Sequence, residues 1–582
     1  MTLKQKKKKT MTRTQNIKKN LIFNVIRYAT NILLQFVLRT VLIYYMGAEY
    51  LGLNGLFTNI FSFLNLAELG IGGAIVFSMY KPIAENDIEK VKALQNLYKK
   101  FYIIIAIVVG VLGAVLTPFI KYFMNGGVEA DINIYILYVM YLAYTLVGYF
   151  SAHKRSLLFA YQRNDIENKI KTVCSFLMVG IQIAILILTR NYYFYFSVSI
   201  LFALVEGISV QIVANKLYPE INGKAEKLDD LTKKEITKNV TALSLHKVGK
   251  AVVFSTDNIL VSTFLGLAIL GVYTNYSLII TTLTMISQMI YNAITASAGD
   301  LIASSSTEYV YERYKKTNFI FSYYSGMTTI CLVTLFQPFI AKWTGDASYL
   351  LDFSTVLLLC VSYYLTGMRT GVWVYKDAAG LFDQDKWKPI AEALVNLVVS
   401  VGLAYVMGIN GIVIGTIVST LVAPFWVEPY VLYKYYFKKS TKPFFLRYAL
   451  DVVITLVCGV ATYFICSFIP TPNILLLAVK FVVCFVLANV LLILAYLPTG
   501  DMKNTFQIVK SLFNRKTKVK RNNNDISQND DLPNQIADNQ EKDSSKNEET
   551  DNIDISNKVK TVDQQIDDLQ NEKTDEQRTD ES

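Results

Sequence analysis

The chain has 582 residues, of which 53% are hydrophobic and 18% charged, and its mean hydropathy is +0.34. A soluble globular protein carries about a quarter charged residues, spread through every segment. This composition therefore excludes a water-soluble enzyme and calls for lipid around much of the surface. The formal charge of +11 hides an asymmetry, because Asn522 to Ser582 holds about eighteen acidic and six basic residues and leaves the remainder near +23. Cytoplasmic loops of membrane proteins collect Lys and Arg, so the basic excess gives no reason to expect a nucleic-acid partner. Cys174, Cys331, Cys360, Cys458, Cys466 and Cys484 all fall in apolar stretches without metal-ligand spacing and read as small core residues.

In chain order, residues 1–20 form a Lys-rich cytoplasmic amino terminus that lacks the small-residue cleavage pattern of a secretory signal. Apolar runs of about 20 residues, enough to cross the hydrocarbon, then recur. The N-lobe, residues 21–217, holds Leu21 to Met46, Leu51 to Met79, Phe101 to Met124, Ile132 to Phe150, Ile170 to Leu188 and Tyr192 to Leu217. A cytoplasmic interlobe loop takes residues 218–247. The C-lobe, residues 248–436, holds Val248 to Leu265, Leu270 to Ala303, Asn318 to Ala341, Tyr349 to Gly371, Pro389 to Met407 and Gly411 to Tyr436. Two further spans, Phe444 to Phe468 and Ile474 to Leu497, fill residues 444–497. Residues 498–582 form a cytoplasmic tail, basic as far as Arg521 and then polar and acidic, expected to be largely disordered because it cannot bury enough apolar area to fold. The predicted fold is an all-α integral membrane protein of about fourteen transmembrane helices, two pseudo-symmetric six-helix lobes plus a C-terminal pair.

Alternate loops separate by charge. One set carries Lys90, Lys99, Lys154, Arg155, Lys224, Arg313, Lys386, Lys438 and many more cations, whereas the other holds Lys121, Arg190 and Lys342. The bias puts both termini and the basic loops on the cytoplasmic side. The opposite loops, such as Gly47 to Tyr50, are too short for an external domain that could hold a donor and an acceptor sugar. The two halves repeat at an offset of about 220 residues: Leu51-Gly52 matches Leu270-Gly271, Pro118-Phe119 matches Pro338-Phe339, and Val205-Glu206 matches Val427-Glu428. Repeats of the same orientation imply a pseudo-two-fold along the membrane normal.

Polar residues form stripes on otherwise apolar helices. Asn20, Asn24, Arg27, Asn31, Gln35 and Arg39 recur every three or four residues along the first span, and Asn54, Thr58, Ser62, Asn65 and Glu68 along the second. His246, Lys250 and Asp257 share a face of the seventh span, and Tyr273, Ser277, Thr281, Thr284 and Tyr291 one of the eighth. An unsatisfied polar group in lipid costs several kcal/mol, so such stripes face protein or water, and four of them outline a wet central cavity. Arg27, Asn31, Gln35, Arg39 and Lys250 are the candidate substrate-binding residues. Arg27 and Arg39 have snorkelling to the interfaces as their alternative. Asp257 and Glu68 are candidates for coupling, with a pair to Lys250 and an interhelical hydrogen bond as the bland readings. Glu206 and Glu428, at the same place in both halves, suggest a gate or fold role. His153, in His153-Lys154-Arg155, reads as interfacial. No nucleotide-binding loop, metal cluster or Ser/His/Asp set is visible, so neither an enzyme nor a cofactor is expected.

The stretches Gly47-Ala48-Glu49-Tyr50-Leu51-Gly52-Leu53, Leu66-Ala67-Glu68-Leu69-Gly70-Ile71-Gly72, Thr256-Asp257-Asn258-Ile259-Leu260 and Gly271-Val272-Tyr273-Thr274-Asn275-Tyr276 resemble the Wzx-type polysaccharide transporters of the multidrug/oligosaccharidyl-lipid/polysaccharide exporter superfamily. The resemblance runs from about Leu21 to Leu497. It implies two lobes in a V around a cavity that opens alternately to either side of the bacterial cytoplasmic membrane. The implied cargo is an undecaprenyl-pyrophosphate-linked oligosaccharide for capsule, exopolysaccharide or other surface polysaccharide. Membrane lipids, a polysaccharide polymerase and glycosyltransferases are the implied partners. A cation-coupled multidrug or small-solute antiporter of the same superfamily is the alternative, and a scaffold without transport a third reading.

Overall fold

The computed structural model describes residues 13–65, 71–126, 132–223, 228 and 256–501. Glu68, His246, Lys250, most of the interlobe loop and the acidic tail lie outside these. Every regular element among the described residues is helical, as the sequence predicts.

In the N-lobe, α1 is Arg13–Met46, α2 Ala48–Leu64, α3 Ile71–Ala84, α4 Ile88–Leu116, α5 Ile134–Ala160, α6 Asn164–Thr189 and α7 Tyr192–Leu217. The second half continues with α8 over 256–265, then α9 Leu267–Ser304, α10 Thr307–Thr344, α11 Phe353–Met368, α12 Thr370–Ala378, α13 Lys388–Met407, α14 Ile409–Val422 and α15 Pro424–Val431. The final pair is α16 Lys442–Ser467 and α17 Ile474–Tyr496. Among the described residues, eleven helices are long and apolar enough to cross a membrane, fewer than the expected count of about fourteen. The expected second span is divided between α2 and α3, the tenth between α11 and α12, and only the last part of the seventh is described.

Many large apolar side chains face outward, among them Leu188, Val406, Phe468 and Ile474, each more than 70% exposed. In water such a surface would drive aggregation; in a bilayer it is the solvent-facing side. α1 packs along α6, α5 against α4 and α7, α13 against α14, and α2 against α9, the principal contact between the halves. The α16–α17 pair leans on α10, where Cys331, Cys466 and Cys484 meet around Leu335. Helices alternate between an end bearing the basic loops and a charge-poor end bearing Gly47, Gly266 and Gly408.

Candidate functional site

At the charge-poor end the chain reverses at Gly47 and Gly266, with φ of 85° and 89°, backbone conformations that only glycine adopts at little cost. These turns bring the first residues of α2 and α9 together. A β-carbon on Gly52 would fall on the carbonyl oxygen of Leu267, and one on Gly271 on that of Ala48. Each contact is the other's counterpart at the repeat offset, so the pseudo-two-fold passes between α2 and α9. Hydrogen bonds flank this seam. Asn125 donates to the Phe264 carbonyl at 2.6 Å and Ser262 to the Phe123 carbonyl at 2.6 Å. On the other flank Trp343 donates to Thr40 at 2.7 Å, with Phe36 against its ring. Arg39 crosses the same seam: Nε donates to Asn275 at 2.5 Å, and Nη2 to Thr274 and, at 3.4 Å, to the Gly271 carbonyl. In this conformation its donors serve a contact between lobes rather than the substrate contact expected from the stripe.

Toward the basic end the polar faces emerge. Thr58 and Ser62 of α2 are exposed, as are Thr281, Thr284, Gln288 and Asn292 of α9. Their helices are buried at the first turns and open thereafter. On α1, Gln35 is exposed and Asn31 half-buried. Arg27 turns to α6 and donates to Asn168 at 2.8 Å. Lys171, one turn along α6 from Asn168, interacts electrostatically with Arg27, Arg155, Glu206 and Glu167, and Arg155 meets Glu206 at 2.9 Å. Three cations and two carboxylates thus gather at the basic end of the N-lobe.

The C-lobe holds a more enclosed counterpart. Glu428 is fully buried and accepts from Arg369 Nε at 2.9 Å, from Nη2 at 2.8 Å, and from Lys388. Arg369 also meets Glu392 at 3.4 Å and stacks 4.9 Å from the Trp373 ring. Lys376 pairs with Asp385 at 2.7 Å and approaches Asp377 at 3.7 Å; Tyr291 on α9 donates to Asp377 at 2.5 Å. The two glutamates that recur at the same place in the repeat therefore each take an arginine from the fourth span of their own half. Their shared chemistry is to tie spans together near the basic face.

Asp257 of α8 sits apart from this network. Thr416 of α14 donates to its Oδ2 at 2.8 Å, and Asn396 of α13 donates to Thr416 at 3.0 Å. Among the described residues, Asp257 Oδ1, Asn258 Oδ1 and Asn396 Oδ1 are buried with no hydrogen-bond partner. Among the described residues Asp257 makes no ion pair. A buried carboxylate held by neutral hydroxyl and amide partners, with no ion pair among the described residues, is chemically suited to taking up a proton. No cluster of three His, Cys, Asp or Glu residues able to hold a metal exists among the described residues.

Sequence reasoning singled out Glu206, Glu428 and Asp257, but missed Arg369, Lys388, Asn396, Thr416 and Lys171, and assigned no pairing to Arg155. The repeat offset could have found Arg369, which lies on the span equivalent to that of Arg155. His153, read as interfacial, is buried, as is Lys154.

Residues 17–299 match the family described as polysaccharide biosynthesis protein. No curated protein matches the chain significantly. Among solved structures, a lipid II flippase, MurJ, in an inward closed conformation has a TM-score of 0.57 at 11% identity, over 82% of this chain and 99% of that one. An inward-facing MATE family multidrug resistance transporter of the MOP superfamily has a TM-score of 0.53 at 18% identity, over 70% of this chain and 94% of that one. The Vibrio cholerae MATE transporter VcmN gives 0.52 at 14%, over 73% and 98%. The region 17–299 carries the signature of the polysaccharide biosynthesis protein family, and the chain has the fold of the MOP superfamily transporters, as its motifs implied.

Proposed function

We propose that the chain flips undecaprenyl-pyrophosphate-linked oligosaccharide repeat units from the cytoplasmic to the outer face of the bacterial cytoplasmic membrane, for capsule, exopolysaccharide or another surface polysaccharide. The observation that carries this reading is the lining between the lobes: exposed hydroxyls and amides of α2 and α9, with Arg27, Lys171 and Arg155 nearby, in a bundle whose charge-poor end is sealed. Each sugar hydroxyl taken into hydrocarbon without a partner costs several kcal/mol, so the glycan needs such a lining. Its prenyl chain can stay in lipid. With the basic loops in the cytoplasm, a seal at the opposite end makes this conformation inward-facing.

Two negative charges moving outward gain roughly 4–5 kcal/mol from an inside-negative potential of 100 mV. Asp257, with Asn258, Asn396 and Thr416, is the coupling site in this reading, and Glu68 a second coupling group. Lys250, seven residues before Asp257 in the sequence, joins Arg27, Asn31 and Gln35 in substrate contact, and Arg39 is freed for it when the seam opens. Glu206 and Glu428, each with its arginine, keep the basic end of each lobe together during the movement.

The Asp257 niche equally suits the second reading, a cation-coupled multidrug or small-solute antiporter. The α16–α17 pair, lying outside the repeat, favours a lipid cargo by adding an apolar surface that a soluble cargo does not need. Depletion separates the two. Lipid-linked sugar should accumulate on the cytoplasmic leaflet, accessible to periodate or lectin only after inversion of the membrane. Unchanged lipid-linked sugar with raised dye sensitivity would overturn the flippase reading.

A further inference from the structure

A second cavity, of about 1300 Å³, lies within the N-lobe among α4, α5 and α7, away from the seam between the lobes. Its polar part carries Lys99, Lys100, His153 and Lys154, and among the described residues no carboxylate lines it. Lys154 and His153 both interact electrostatically with Lys99, and His153 with Lys154 as well. Lys154 is buried, and its ammonium donates to Asn222 at 2.7 Å, a neutral partner; among the described residues no carboxylate pairs with it. Like charges gathered in a concavity repel unless an anion joins them. Further along the same faces of these helices a second wall is apolar: Ile103 and Ile107 of α4 and Phe150 of α5 are 51%, 60% and 59% exposed.

The two walls meet where both helices change character. On α4 the apolar run begins at Phe101, directly after Lys99 and Lys100; on α5 it ends at Phe150, just before His153 and Lys154. That level is the boundary between hydrocarbon and headgroups. We propose that the cavity binds an anionic phospholipid of the surrounding bilayer, its phosphodiester among the lysines and its chains along Ile103, Ile107 and Phe150. The volume exceeds that of an ordinary small-molecule pocket, about 300–1,000 Å³, and accommodates a headgroup with the upper part of two chains. The site does not depend on the transport reading, because the lining stands outside the path between the lobes.

The test is native mass spectrometry of the purified full chain, titrated with dioleoylphosphatidylglycerol or dioleoylphosphatidylcholine. The expected result is retention of the anionic lipid well beyond the zwitterionic one. Each lysine near a headgroup contributes about fivefold in affinity, so Lys99→Gln with Lys100→Gln should weaken the anionic lipid by about 25-fold. The corresponding Arg pair should retain binding, which separates lost charge from a damaged fold. Lys315→Gln with Lys316→Gln, on α10 and away from the cavity, should change little. Equal binding of the two lipids, or wild-type retention by the Gln pair, would overturn the proposal. Displacement by inorganic phosphate at matched concentration would mark a free-anion site and overturn the lipid assignment. A prenyl pyrophosphate preferred more than tenfold over phosphatidylglycerol would do the same and join the cavity to the transport path.

Discussion

Arg369→Met tests what burial does to one ion pair that occurs twice. The change removes hydrogen bonds of 2.9 and 2.8 Å to Glu428 and the 3.4 Å contact to Glu392. Glu428 has no exposed surface and keeps Lys388 alone. Orphaning a buried charge costs about 3–5 kcal/mol, and the remaining lysine puts this case near the lower bound, about 3 kcal/mol. In the N-lobe, Arg155→Met breaks one contact of 2.9 Å between side chains 25% and 14% exposed. Water can rehydrate Glu206, so the expected loss is about 1 kcal/mol. Thermal or denaturant unfolding of the full chain in detergent should separate the two variants by about 2 kcal/mol. Adding Glu428→Gln to Arg369→Met should recover part of the loss, since the orphaned carboxylate is gone and contacting residues couple by about 0.5–3 kcal/mol. Equal losses in the two lobes, or no recovery in the double variant, would refute the burial argument.

Further expectations follow from the seam, the stripe and the tail. Gly52→Leu drives a side chain into the Leu267 backbone and should cost about 1–3 kcal/mol; spin labels at the exposed Tyr44 and Ile269 should move apart, whereas Gly148→Leu, with nothing within 4 Å of the added β-carbon, should leave that distance unchanged. Asp257→Asn should abolish the sodium or proton dependence of flipping measured in proteoliposomes, and undiminished dependence would remove Asp257 from coupling. Arg27→Lys should keep part of the flipping rate and Arg27→Ala lose most of it if the guanidinium holds the pyrophosphate through paired hydrogen bonds; wild-type rates from both, at equal membrane abundance, would end the substrate assignment. Deleting residues 522–582 should leave insertion and glycan export nearly intact, because that composition cannot add to a packed core.

The membrane helices were legible because lipid demands unbroken apolar length, and that demand is written locally in the sequence. The breaks were not. α11 gives way to α12 near Arg369, a position where the apolar run continues and the helix is interrupted. The repeat was readable from scattered pairs, and its geometric consequence, the reciprocal burial of Gly52 and Gly271, needed only the offset and a glycine at each place. Partners across the fold were another matter. Asp257 stood out as an acid in an apolar stretch, whereas Asn396 and Thr416 are ordinary polar residues until the packing of α8, α13 and α14 brings them beside it. The thiols of Cys331, Cys466 and Cys484 lacked any sequence spacing that would join them, yet α16 and α17 fold back onto α10 and gather them. Arg39 shows the converse: helical periodicity placed it correctly on the stripe, and only the neighbouring lobe determined that its donors are taken by α9.

The two halves share a frame but differ in charge, and this bears on how the proposed transport divides its work. Around Arg155 and Glu206 the N-lobe gathers Arg27 and Lys171, with Glu167 as the further acid, so cations predominate beside the exposed polar face. Around Arg369 and Glu428 the C-lobe gathers Lys388 and Lys376 against Glu392, Asp385 and Asp377, a set in which acids predominate and which is largely closed to water. Asp257, which makes no ion pair among the described residues, lies in that same lobe. In the proposed transport, an anionic cargo and a coupling cation would thus be attracted to different lobes of one duplicated fold, where neither has to displace the other. Rotation of the lobes about the Gly52 and Gly271 contacts would alter access to both sites at once. Each intralobe ion pair could survive that movement intact, so the energy of the transition would fall on the seam hydrogen bonds of Arg39, Asn125, Ser262 and Trp343 rather than on buried charges.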